Sequence, residues 1–382
     1  MTGAGRGLIP RLVELAPGSI VGGRFVLERK LGEGGMGVVW AARHAVTRKA
    51  VAIKMLRADK AGNDRVRHRF IREARAASAV QHPNIIEIHD VIELENGAPA
   101  MVMDLLDGES LGDLLERAPK LSIEELAPIM LQVVSAVGSA HVAGVVHRDL
   151  KPDNIFLVRQ GGAVSVRVLD FGIAKVIAGD DEPGVSHGLT NTGALLGTPF
   201  YMSPEQAFGE KTIGPRADVW AIGIILHECL SGRRPTEAEN VGQILRIITH
   251  DEIPSLRVAA PEVPSDVADL VDRMLRRNPD HRPRSLVSAY DVLSRYAAGI
   301  SARPFAEPSS VAAATSAAER DAATAASTTV AGTADDDVRS SRPVQSSLPL
   351  RVGAIVLVGV GVAFMASTSR QTPGSPAAAS TT

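Results

Sequence analysis

The sequence predicts an α+β fold in two lobes, a small β-rich lobe over residues 25 to 106 and a larger helical lobe over 107 to 297. Up to Leu106 the apolar residues fall in short alternating runs that read as strands, interrupted by a helical stretch. From Leu111 to Tyr296 the spacing is helical, with amphipathic runs at Leu126 to Ala143, Val219 to Ser231, Val241 to His250, Val267 to Arg276 and Leu286 to Tyr296. Between the two regimes, Met101-Val102-Met103-Asp104-Leu105-Leu106-Asp107-Gly108 reads as a hinge.

Gly32-Glu33-Gly34-Gly35-Met36-Gly37-Val38-Val39 is the first element with chemistry in it. Its flanks, Arg24 to Leu31 and Val38 to Arg43, read as two strands of a hairpin, whereas the same glycines in a dinucleotide fold would open a helix. Glycine lets backbone amides approach phosphate oxygens without a Cβ in the way. Val51-Ala52-Ile53-Lys54 follows as an apolar strand ending in a cation that needs a carboxylate to hold it forward. The helix containing Arg69-Phe70-Ile71-Arg72-Glu73-Ala74 offers one, because Phe70, Ala74 and Ala77 place Glu73 on the inward face. His82-Pro83-Asn84 is expected to end that helix.

His147-Arg148-Asp149-Leu150-Lys151-Pro152-Asp153-Asn154, with Asp170-Phe171-Gly172 downstream, sets a carboxylate, a cation, an amide and a second carboxylate where phosphoryl transfer needs them. These motifs resemble those of protein kinases, and Lys-Pro-x-Asn resembles the serine/threonine branch. The resemblance implies Asp149 as base, Lys151 over the transferring group, Asn154 and Asp170 as Mg²⁺ (or Mn²⁺) ligands, and Lys54 paired with Glu73 on the ATP phosphates. It also implies an ATP pocket of Leu31, Gly32, Glu33, Gly34, Gly35, Met36, Gly37, Val38 and Val39. Met103 would stand behind the adenine, with the main chain of Asp104 and Leu106 at its edge. Glu is commoner where Asp104 stands.

Gly197-Thr198-Pro199-Phe200-Tyr201-Met202-Ser203-Pro204-Glu205 resembles the end of an activation segment, a platform for an extended peptide, with Ser203 in place of the more usual Ala. Small-molecule phosphotransferases lack that platform, so protein substrates carrying Ser or Thr are implied. Glu205 needs a cation, which Arg282 in Asn278-Pro279-Asp280-His281-Arg282-Pro283 would supply. Asp218 resembles the helix residue that ties down the catalytic loop, and Thr198 would serve that loop through its hydroxyl. Arg148 is a cation awaiting an anion. Phosphate on Thr190 or Thr192 would provide it, and without that phosphate the Lys54 and Glu73 pair is expected to be only partly closed.

The 382 residues have room for two or three domains, and with 45% hydrophobic residues and a net charge of -2 they carry no nucleic-acid signature. The single cysteine, Cys229, sits in an apolar run and reads as a buried thiol, which excludes a disulfide within the chain. Residues 1 to 24 read as an N-terminal extension without a signal peptide. Residues 298 to 350, rich in Ala, Ser, Thr and Pro, read as a disordered linker of roughly 35 to 40 Å mean span.

Val352 to Ser369 holds no charge between Arg351 and Arg370 and as a helix would span about 27 Å, close to the ~30 Å hydrocarbon core. Residues 351 to 369 therefore read as a membrane-spanning helix and 370 to 382 as a short extracytoplasmic tail. Taken together, residues 25 to 297 resemble a bacterial Hanks-type (receptor-like) serine/threonine protein kinase. The resemblance implies a five-stranded small lobe, self-association for phosphorylation in trans, and contact with inner-membrane lipid. The kinase domain would face the cytoplasm, with a wholly cytoplasmic protein as the alternative. A pseudokinase-like nucleotide-binding scaffold is the alternative function; it predicts a lesion at Lys54, Asp149, Asn154 or Asp170, and each is intact.

Overall fold

In a computed structural model the described residues are 15–34, 37–57, 60, 63–160, 163–171, 199–298, 302 and 305. All lie in the first of the two units into which the chain divides, Met1–Glu319 and Arg320–Thr382. The predicted membrane helix, the linker and the segment carrying Thr190, Thr192 and Thr198 fall outside the described residues, as do Gly35 and Met36.

Alternating residues build the smaller lobe as an antiparallel sheet of six strands in the order β1-β2-β3-β4-β6-β5. These are β1 Ile20–Val21, β2 Phe25–Glu33, β3 Gly37–His44, β4 Ala50–Leu56, β5 Ile88–Glu93 and β6 Pro99–Asp104. The period of two sorts β4 cleanly. Val51, Ile53 and Met55 pack with Trp40 and Val102 on one face, while Ala52, Lys54 and Leu56 turn to the other. There Leu56 and Met101 meet Phe70 and Ala74 of helix α1, Asp64–Ser78.

Two expectations are corrected. The sheet has a sixth strand because β1, within the presumed extension, pairs Ile20 with Val26 and Val21 with Phe25. A two-residue strand between glycines is too short to leave an alternating pattern. Helix α1 also ends at Ser78, before His82-Pro83-Asn84. Those residues reach the other lobe instead: His82 Nε2 lies 3.1 Å from Ser135 Oγ, and Asn84 Nδ2 donates to Gln132 Oε1 at 2.8 Å.

The larger lobe contains helices α2 Leu111–Arg117, α3 Ile123–Val142, α4 Pro204–Ala207, α5 Arg216–Ser231, α6 Val241–Thr249, α7 Leu256–Ala259, α8 Ser265–Met274 and α9 Val287–Ser294. A small sheet of β7 Gly108–Ser110, β8 Ile155–Gln160 and β9 Ala163–Val168 faces the cleft side of α3. Ser122 and Glu125 form a capping box that starts α3. This helix is long and apolar enough to cross a membrane, but 78% of its apolar window is buried in the lobe, so it serves as the core. Cys229 on α5 is fully buried, and burial pushes its thiol pKa up.

Packing continues past the predicted edge at residue 297. The Tyr290 hydroxyl donates to the Ala302 carbonyl at 2.8 Å, and the Phe305 ring stands edge-on to Tyr290 with centroids 5.9 Å apart. Gly138 of α3 admits that ring; a Cβ there would come within 2.5 Å of it. At the hinge, Gly108 adopts φ 152°, and a Cβ would lie 2.0 Å from the Leu157 carbonyl oxygen. Only glycine lets the chain cross β8 there.

Candidate active site

The loop joining α3 to β8 hangs on Asp218, in the first turn of α5 and fully buried. Its carboxylate accepts the backbone N–H of His147 at 2.8 Å and of Arg148 at 2.7 Å, and His141 Nε2 lies 2.7 Å from one oxygen. Burial alone would push this carboxyl up, but His141, His147 and the Arg148 amide outweigh it and hold the pKa below its ordinary value. Arg148 is held at φ 65°, and its carbonyl accepts Gln206 Nε2 at 2.7 Å. Asn154 Nδ2 then donates to the Asp149 carbonyl at 2.8 Å, closing the loop across its aspartate.

The same loop receives the second carboxylate. The Leu169 N–H donates to the Asn154 carbonyl at 2.8 Å, which brings Asp170, at φ 45°, next to Asn154. From the smaller lobe, Lys54 Nζ lies 2.8 Å from Glu73 Oε1 and 2.8 Å from Asp170 Oδ1. Burial opposes the Lys54 charge, yet the Asp170 and Glu73 carboxylates together raise its pKa above the ordinary lysine value. The Lys54 and Glu73 pair is thus closed in this structure. The Asp170 side chain keeps 45% exposure, so its hard oxygens face the cleft and suit a divalent cation together with the Asn154 amide oxygen. Lys151 Nζ is 3.8 Å from Asp153 Oδ2, a loose contact on a half-exposed side chain.

Val39, Met103 and Leu106 meet in one apolar cluster with Ala52, Ile86, Ile88, Leu105 and Leu169 between the lobes. Val38 is partly buried against the other face of the sheet, and Leu31 is exposed. A Cβ on Gly32 or Gly34 would meet no atom within 4 Å, whereas one on Gly37 would lie 2.3 Å from the Met55 carbonyl oxygen. The first two glycines leave backbone open to an approaching anion; the third is required by strand packing. The Glu33 side chain is engaged elsewhere, with Lys30 and with Arg57 at 2.8 Å. The side chain of Asp104 lies 2.8 Å from His89 Nε2.

Across the cleft, Pro199, Tyr201 and Met202 line one cavity with Arg148 and Asp149. The shelf behind them rests on Glu205, whose two oxygens accept Arg282 Nη1 and Nη2 at 2.8 Å each. Arg282 also donates to the carbonyls of Arg276, Arg216 and Arg277 and stacks on Trp220 at 5.0 Å. Arg148 Nη2 donates to the Ile213 carbonyl at 2.9 Å, while its buried Nε finds no partner among the described residues.

Sequence reasoning missed His141, Gln206, Ala52 and Leu169. Ala52 was legible in principle, since it lies two residues before Lys54 on the same strand face. His141 and Gln206 carry no local signal, because their partners are far away in sequence.

Residues 25–293 match the protein kinase domain family. The serine/threonine-protein kinase pkn3 of Myxococcus xanthus is 39% identical over 272 residues, 70% of this chain and 49% of that protein. PrkC of Bacillus subtilis is 36% identical over 265 residues, 69% of this chain and 39% of its own length. PknA of Mycobacterium tuberculosis is 35% identical over 286 residues, 74% of this chain and 63% of its own length. The chain therefore spans less than two thirds of these relatives. The crystal structure of the M. tuberculosis PknI kinase domain superposes with a TM-score of 0.57 at 26% identity, covering 74% of this chain and 100% of that one.

Proposed function

This chain belongs to the protein kinase family, in its bacterial serine/threonine group, and from that premise we propose that it transfers the γ-phosphoryl group of ATP to Ser and Thr hydroxyls of proteins in signalling. The family uses ATP with a divalent metal. Here Asn154 and Asp170 would hold Mg²⁺, with Mn²⁺ as a substitute, and the ion would neutralise charge on the phosphate oxygens. Asp149 would take the proton of the attacking hydroxyl onto its carboxylate. Lys54, held forward by Glu73, would bind the α and β phosphates, and Lys151 would face the transferred group. The observation that supports this reading most is the Glu73, Lys54 and Asp170 ion-pair chain, closed at 2.8 Å on each side above the anchored loop. It is tested by incubating the purified chain with γ-labelled ATP and a protein acceptor. Label on Ser or Thr is expected; nucleotide binding without any transfer would leave the scaffold reading instead.

Regulation by the activation segment belongs to the same proposal. Arg148 Nε has no partner among the described residues, and burial lowers the pKa of this guanidinium by more than the Asp218 carboxylate raises it, so a further anion nearby would be stabilising. Phosphate on Thr190 or Thr192 would supply that anion. Replacing both by Ala should lower activity toward an added protein roughly tenfold, within the 1 to 3 kcal/mol typical of such couplings, while ATP binding persists. An unchanged rate in the double variant would leave Arg148 structural.

A kinase domain whose packing runs from β1 to Phe305, a linker from there to 350, a membrane helix over 351 to 369 and a tail over 370 to 382 are our proposed organisation, the membrane helix supported by the uncharged run Val352 to Ser369. The full chain should fractionate with membranes and resist carbonate extraction, whereas a chain ending after Phe305 should be soluble and active. Recovery of the full chain in the soluble fraction would sink the anchor and favour the cytoplasmic alternative.

A further inference from the structure

The shelf facing Asp149 is held from behind by residues outside every motif named so far. Gly232, at φ 74°, ends α5 and turns the chain back toward it. The Arg234 guanidinium then lies 4.2 Å from the Phe200 ring centroid and 5.6 Å from that of Tyr201. Its Nε donates to Glu228 Oε1 at 2.9 Å, while Glu228 Oε2 accepts the Tyr201 hydroxyl at 2.6 Å. Thr236, fully buried, donates its hydroxyl to the Phe200 carbonyl at 2.7 Å. Burial and the Glu228 carboxylate push the Tyr201 phenol up, so it remains a donor.

One turn therefore fixes two consecutive shelf residues through side chain and backbone together. The planar guanidinium can stack and hydrogen-bond at once, which an ammonium cannot do. Glu228 is buried and finds its counter-charge in Arg234, so the floor of the shelf carries a matched pair of charges. Tyr201 borders the same cavity as Asp149, so a shift of this ring moves the wall that faces the base.

We propose that Arg234 is a positioning residue for the protein substrate: by clamping Phe200 and Tyr201 it sets where an extended peptide lies relative to Asp149, without acting on the nucleotide side. The inference rests on the kinase reading above. Arg234→Met keeps length and apolar contact but removes the charge and the donor. Its KM for an added protein should rise roughly tenfold, with kcat and the KM for ATP changed by less than about twofold, and Arg234→Lys should fall between. Thr236→Val, which removes the hydroxyl at nearly constant volume, should shift the protein KM in the same direction, and it decides the matter if Arg234→Met does not fold. Unchanged protein KM in the folded variants overturns the proposal, as does an equal rise in the KM for ATP, which would make the turn a general brace. Failure of the kinase reading is distinguishable, because the unaltered chain would then transfer no phosphoryl group at all.

Discussion

Asp149→Asn should lower phosphoryl transfer by roughly a hundredfold to ten-thousandfold, the range expected for loss of a positioned general base, while the protein stays folded. The loop around it is secured by contacts that do not use the Asp149 carboxylate: Asp218 takes the amides on one side, and Asn154 binds the Asp149 carbonyl on the other. Asp170→Ala should be at least as damaging, because it removes the proposed metal ligand and one of the two carboxylates on Lys54. With the Asp170 side chain 45% exposed, its loss should barely move the melting temperature. Quantitative autophosphorylation at the unaltered rate in either purified variant would remove these two residues from the roles given to them.

Glu205→Ala should be costly for stability. Its partner Arg282 has a side-chain exposure of 0% against 5% for Glu205, so the guanidinium would be left buried and unpaired. Removing one member of such a pair costs about 3 to 5 kcal/mol, which for a lobe of this size lowers Tm by roughly 6 to 20 °C. Arg282→Met should cost as much or more, since it also abandons the carbonyls of Arg216, Arg276 and Arg277. The double variant should melt higher than the sum of the two losses, because each single change strands the other's charge. Additive losses in thermal melts would show that the pair contributes nothing as a pair.

Much of this architecture was legible from residue order alone. The hairpin, β4 with Lys54, the inward Glu73 and the helical runs all announce themselves through periods of two and 3.6, whereas the Glu205 and Arg282 pair came from the family resemblance of the segment that carries Glu205, with the cost of a buried charge as its reason. What stayed hidden has its cause at long range. β1 exists only because β2 pairs with it, Asn84 is committed to Gln132 in the other lobe, and His141 matters only because Asp218 lies against it. Arg234 is another such case, because Phe200 and Tyr201, on which its guanidinium stacks, lie far from it in sequence.

The anchors of the candidate site are divided unequally between the lobes. Asp149, Asn154 and Asp170 are fastened to α3, α5 and one another, whereas Lys54 and Glu73 ride on the sheet and α1. Lys54 to Asp170 is the ion pair through which the two groups touch. With the Asp170 side chain 45% exposed, water can replace this contact more readily than the buried links within each lobe. The cleft can therefore breathe at this point on the microsecond to millisecond scale of lobe motions without disturbing the loop below. In the proposed reaction, opening of the cleft to release nucleotide would begin where one lysine lets go of one aspartate.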